Sequence, residues 1–189
     1  MMDTTLYMIR HAESPFVFGQ ERTRKLSTQG EIDAKIVTTL MNDKKIDLIV
    51  SSPYTRAIQT IEGIANTKSL EIKLFEDLRE RQLKGAYKLP EEEIQQAIKR
   101  SYEDIDFNLS GGESVRAVQN RAIPVIKGLL KNHETKTIII GTHGNVMTII
   151  MNYFNSEFGF DFWKNTSKPD IYKLVFSGEK LQLVQRIWE

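Results

Sequence analysis

Leu6-Tyr7-Met8-Ile9-Arg10-His11 is a short apolar run closed by a guanidinium and an imidazole. A stretch of this length, apolar throughout and bounded by a charge, reads as a buried strand. Two more such runs occur, residues 46–50 and the β-branched 137–140. Between them the spacing becomes helical. Ile32, Ile36, Val37, Leu40 and Met41 predict a helix with Ser27 as its N-cap. Ser52-Pro53 predicts the start of a second helix, with a capping hydroxyl and proline at the first helical position. Its apolar face would be Ala57, Ile58, Ile61, Ile64 and Ala65.

Residues 72–75 read as a short strand and 77–90 as loop. Helices are predicted over 91–102, over 113–132 and over about 146–154. Pro124 should kink or divide the second of these. A turn at Ser177-Gly178 between the runs 171–176 and 181–186 predicts a terminal hairpin. Apolar strands alternating with helices imply a mostly parallel central sheet covered on both faces, a three-layer α/β/α sandwich. A length of 189 residues suits one domain, taken as 1–189.

Ligands of such folds gather beyond the carboxyl ends of the strands. The three strongest strands end in Arg10-His11, in Ser51-Ser52-Pro53 with Arg56 one turn on, and in Thr142-His143-Gly144. Two of the three histidines therefore fall at strand ends, with arginines beside them.

Composition narrows the chemistry. Lys+Arg of 26 against Asp+Glu of 25 leaves a net charge of +1, so no global field points to nucleic acid or an anionic membrane. With no cysteine, a thiolate nucleophile, a disulfide framework and a Cys-based metal site are excluded. The N-terminal MMDTTLYMIRHAES fits neither a signal nor a transit peptide, and no run approaches ~20 apolar residues. The expectation is a cytoplasmic enzyme.

Arginine forks suit the equatorial oxygens of a phosphoryl group in transfer. Arg10 and Arg56 are the candidate forks, with backbone N–H groups of the second helix near Arg56. His143 is a candidate hydrogen-bond donor. No Gly-rich P-loop, kinase-like loop or Mg²⁺-binding carboxylate cluster is present. A neutral, oriented histidine can act as a covalent nucleophile. His11 is the candidate, its protonated form disfavoured by neighbouring arginines. A carboxylic acid is needed to protonate the leaving alkoxide. Glu80 is the candidate, with Glu76, Asp77 and Glu113 as competitors. Ser14, Gly144 and Asn145 are candidate substrate contacts of a second rank.

Six segments, in order, resemble the histidine phosphatase superfamily in its phosphoglycerate mutase-like branch. They are Arg10-His11-Ala12-Glu13-Ser14, Leu26-Ser27-Thr28-Gln29-Gly30, Ser52 to Thr60 with Arg56-Ala57 and Gln59-Thr60, Leu78-Arg79-Glu80, Gly111-Gly112-Glu113-Ser114 and His143-Gly144-Asn145. The resemblance implies a phosphoglycerate mutase-like fold and a phosphohistidine on His11. It implies Arg10, Arg56 and His143 around the phosphoryl group and Glu80 as general acid and base, with no metal or organic cofactor. The pocket rim departs from the pattern. Ala12 replaces the usual glycine, and Val17 stands where the family often has an asparagine contacting phosphate. The Trp-Glu-Gly that often follows the acid is missing, with Gly85-Ala86-Tyr87 nearby instead.

The expected function is hydrolysis of a small phosphorylated metabolite. The alternatives are a mutase-type isomerase, which in this family usually has a longer chain, and a silent phospho-ligand binder. The basic cluster Arg22-Thr23-Arg24-Lys25 is either a solvated loop or a funnel for an anionic substrate. His133 is expected at a helix end on the surface. Phe16, Phe18, Tyr87 and Phe107 would line the mouth or fill the core. No oligomeric state is assigned.

Overall fold

In the computed structural model, which describes residues 3–189, the apolar runs form the strands of one sheet. The order along the chain is β1 (Asp3–Arg10), α1 (Thr28–Leu40), β2 (Leu48–Ser51), α2 (Thr55–Lys68) and β3 (Ile72–Leu74). A 3₁₀ turn (Glu76–Leu78), α3 (Glu91–Glu103), α4 (Val115–Asn132) and β4 (Thr137–Thr142) follow. The chain ends with α5 (Gly144–Phe154), α6 (Phe160–Lys164), β5 (Asp170–Ser177) and β6 (Lys180–Arg186).

The strand order is β3-β2-β4-β1-β5-β6. The first four strands in that order run parallel, and β5 is antiparallel to both β1 and β6. Side chains alternate across the sheet. Leu6, Met8, Val50, Ile138 and Ile140 pack with Val118, Ile126, Met147 and Ile150 of α4 and α5. Tyr7, Ile9, Ile49 and Ile139 pack on the other face with Val37, Ile61 and Ile64 of α1 and α2. Both faces are covered, so the strands need no polar side, and each fully buried aliphatic side chain contributes about 1.5–3 kcal/mol. These are the three layers expected.

Register sets the site. Arg10 lies opposite Thr142, and Ser51 opposite Gly141. The carboxyl ends of β1, β2 and β4 are therefore level, and the residues that leave them start from one line.

Several boundaries differ from the sequence reading. α2 begins at Thr55, not at Pro53. The Ser52 hydroxyl instead accepts the Tyr54 N–H at 3.2 Å and meets His143, while the Thr55 N–H donates to the Arg22 carbonyl. α4 runs unbroken through Pro124. Both Pro124 and Asn120, whose carbonyl loses its helical partner, face solvent, where water can satisfy that carbonyl. On α1, Val37 is buried but Ile32 and Ile36 are 49% and 45% exposed. α6 carries no apolar periodicity long enough to announce it. No helix among the described residues is long and apolar enough to cross a membrane.

Candidate active site

His11 follows β1 directly, and its backbone N–H extends the ladder to the Thr142 carbonyl at 3.0 Å. Its side chain is 3% exposed. Nδ1 lies 2.7 Å from the Ala12 carbonyl. A carbonyl only accepts, so Nδ1 carries the ring proton and Nε2 is left with its lone pair. Burial pushes the His11 pKa well below the usual histidine value, and Arg56, Arg10 and Arg24 push the same way. Desolvation leads, and the arginines, the cause expected from sequence, follow. Thr60 fixes the turn after His11 by accepting the Ala12 N–H at 3.0 Å and donating to the Arg56 carbonyl at 2.7 Å.

Three donors surround this imidazole. Arg10 is 9% exposed, and its Nη1 donates to the Thr166 hydroxyl and carbonyl. Arg56 is 1% exposed, is held over the Tyr54 ring, and donates to the Glu21 carbonyl and carboxylate. The Nε atoms of both arginines are buried with no protein partner. His143 is fully buried, with its ring 5.2 Å from that of His11. Its Nε2 lies 2.7 Å from Ser52 Oγ. That hydroxyl accepts from Tyr54, so its own proton is available to Nε2. In that arrangement His143 Nδ1 is an N–H with no partner in the protein. Burial, then His11 and the arginines, hold the His143 pKa well below the usual value.

Glu80 lies at the N-terminus of α5. Its Oε1 accepts the Arg81 and Val146 N–H groups at 2.8 and 3.0 Å, and its Oε2 accepts only the Asn145 N–H, at 3.3 Å. Oε2 is the less engaged oxygen. Two of the three competing carboxylates are occupied elsewhere, and Asp77 has only Arg79 at 4.0 Å. Glu76 forms a surface pair with Arg22. Glu113 takes Arg79, Arg121 and the Gln82 N–H, and despite burial these hold its carboxyl below the usual range. It clamps the segment that carries Glu80.

The second-rank candidates have distinct places. A Cβ on Gly144 would sit 2.7 Å from Arg10 Cζ, so only glycine allows that guanidinium its position. Asn145 gives its N–H to Glu80, and its Oδ1 is buried without a partner. Ser14 donates to the Lys25 carbonyl and accepts Arg24 on its own carbonyl, which organises the loop after His11. In the same loop Ser27 donates to Glu13 and accepts the Gly30 N–H. A Cβ on Gly30 would come 2.2 Å from the Glu13 carbonyl oxygen. Two of the six segments are thus joined by packing as well as by order.

Arg24 and Glu21 were not singled out as site residues. Arg24 turns inward, near enough to act on both histidines and Arg56, and pairs with Glu21 at 3.2 Å. A basic run in a polar loop gives no sign of which of its members points in. Thr166, the anchor of Arg10, lies in a polar stretch that carries no periodic signal. Phe16 and Phe18 line a cavity of about 320 Å³ with Glu21, Arg81, Leu83 and Ile94. Val17 between them is 39% exposed. Tyr87 instead lies under Lys84, and Phe107 under Arg100. His133 caps the C-terminus of α4, at the opposite end of β4 from His143.

The family model described as the histidine phosphatase superfamily (branch 1) matches residues 6–188. An Arabidopsis thaliana protein named "Probable 2-carboxy-D-arabinitol-1-phosphatase" is 29% identical over 149 residues, which are 74% of this chain and only 31% of that protein. Phosphoserine phosphatase 1 of Hydrogenobacter thermophilus is 26% identical over 195 residues, covering 96% of this chain and 90% of its own. A phosphoserine phosphatase of Entamoeba histolytica, solved with phosphoserine, shares the fold at a TM-score of 0.79 and 23% identity, covering 97% and 96% of the two chains.

Proposed function

The chain belongs to the histidine phosphatase superfamily, branch 1, and on that premise we propose that it hydrolyses small phosphomonoesters through a phosphohistidine on His11. The observation that carries this reading is the Nδ1–H of His11 bound to the Ala12 carbonyl, which leaves Nε2 bare among Arg10, Arg56 and His143. Names of the relatives that are phosphatases support the same reaction class.

The reaction runs in two steps. His11 Nε2 attacks phosphorus, the P–O ester bond breaks, and the leaving oxygen takes a proton from Glu80 Oε2. The Ala12 carbonyl stabilises the positive charge that the attack puts on the ring. Arg10, Arg56 and His143 hold the equatorial oxygens as charge spreads over them. Water then gives a proton to Glu80 and attacks phosphorus. The N–P bond breaks, phosphate leaves, and Nε2 regains its lone pair. Every group in this cycle belongs to the chain or to water. A cytoplasmic location is part of the proposal, to be tested by cell fractionation.

His11→Ala tests the nucleophile. Turnover of p-nitrophenyl phosphate should vanish, together with the acid-labile, base-stable label that the wild type takes up from ³²P-substrate, while circular dichroism stays native. Retained turnover would refute the assignment. Release of inorganic phosphate, rather than isomerised phosphoglycerate, separates hydrolysis from mutase action.

A further inference from the structure

A cavity of about 350 Å³ opens beside the site, lined by Arg10, Gln95, Trp163, Lys164, Thr166 and Lys168. Three of these six are cations and none is an acid. Neither Lys164 nor Lys168 is among the lysines paired with a carboxylate, which in the described residues are Lys44, Lys45, Lys127 and Lys136. Desolvation, then repulsion from Arg10 and Arg24, hold the Lys168 ammonium below the usual lysine range. Glu80 acts on Lys168 and Arg10 from outside the cavity, but cations crowded in this way, with no acid in the lining itself, favour an incoming anion.

The cavity is mechanically tied to the phosphoryl site. The Thr166 hydroxyl gives its proton to the Trp163 carbonyl at 2.6 Å, so its lone pairs face outward, and Arg10 Nη1 binds there. Arg10, 9% exposed, is therefore both a wall of the cavity and a neighbour of His11. Trp163, whose ring lies 5.7 Å from that of Phe160, adds a flat apolar surface for a carbon skeleton.

We propose that this basic cavity receives a second anionic group of the substrate, so that the enzyme selects phosphomonoesters that also carry a carboxylate or another phosphate. Lys164 and Lys168 are the specificity-determining residues, and Arg10 bridges the two anions. The proposal rests on the phosphatase reading and deepens it. A neutral alcohol phosphate fills the phosphoryl site alone and leaves the lysines unmatched.

Two matched pairs of substrates test it. The first is 3-phosphoglycerate against glycerol 3-phosphate, which differ by a carboxylate. The second is fructose 1,6-bisphosphate against fructose 6-phosphate, which differ by a phosphate. In at least one pair kcat/KM should favour the more anionic member by about tenfold or more, the scale of one charge-assisted hydrogen bond. The preference should reside in KM and shrink as ionic strength rises. The double variant K164Q/K168Q should bring that ratio toward one, and K168E should lower it further. The pair that responds identifies the anion. Equal turnover within both pairs by the wild type, or a preference that survives both variants, overturns the proposal. No turnover of these four substrates or of p-nitrophenyl phosphate, with no label on His11, overturns the phosphatase reading and this proposal with it.

Discussion

Arg56 Nη2 donates to Glu21 Oε2 across 3.1 Å, and the two residues differ sharply in exposure, at 1% and 43% of their side chains. An internal carboxylate thus holds the edge of a guanidinium assigned above to the phosphoryl group. Arg24 pairs with the same carboxylate. A phosphoryl group that needs this edge must displace Glu21. Glu21→Gln keeps an accepting oxygen but removes the competing charge. Its Ki for inorganic phosphate should fall by about two- to fivefold, within the range of a partly exposed ion pair. Unchanged or weaker inhibition would make Glu21 only a support for Arg56.

Glu80 offers a test by leaving group. Oε1 is engaged twice and Oε2 once, at 3.3 Å, so Oε2 is the oxygen free to carry the proton. Glu80→Gln cannot donate that proton. Hydrolysis of alkyl phosphates should slow by about 10²–10⁴-fold, and of p-nitrophenyl phosphate much less, because nitrophenolate leaves without protonation. Equal slowing of both, in steady-state assays, would remove Glu80 as the acid.

Gly144 stands against Arg10. The added methyl of Gly144→Ala would sit 2.7 Å from Arg10 Cζ and must push the guanidinium aside. A displacement of this size costs about 10²-fold in kcat/KM. Circular dichroism and the thermal midpoint should change little by comparison. Wild-type kinetics would mean that Arg10 has no fixed position to lose.

The two site histidines make stability depend on pH. Both have folded-state pKa values well below 6.5, chiefly through burial. Below pH 6.5 the unfolded chain binds protons at these positions and the folded chain does not, so stability is complete above that pH and falls on acidification. Each histidine contributes a slope of about 1.4 kcal/mol per pH unit until its folded pKa is reached. Denaturant titrations between pH 6.5 and 5 should show a shallower slope for His11→Gln than for the wild type. Identical slopes would show that His11 is protonated in the folded protein. For the same reason, protonation of His11 should not limit activity near neutral pH.

Much of the site was legible because strand ends are legible. Arg10-His11 and Thr142-His143 follow runs so apolar that only burial suits them, and the parallel sheet brings such ends together. Glu80 was harder to read, since nothing local separates it from Glu76 or Glu113. Its distinction is the backbone of α5, more than 60 residues later in the chain. The start of α2 was misplaced for a related reason. Ser52 has the chemistry of a cap, but the nearer demand on its hydroxyl is His143, 91 residues away.

Sequence alone determined the layers and the mostly parallel sheet, and it nominated the residues proposed to carry the chemistry, because periodicity and burial are local consequences of side-chain type. Tertiary structure decided what each group does with its protons and charges. It gave His11 its tautomer, turned Arg24 inward and Arg22 outward, set Glu21 on Arg56, and placed Lys164 and Lys168 in one cavity with Arg10. Those outcomes depend on distances between segments remote in the chain, and hydrogen bonds and charges act over only a few ångströms.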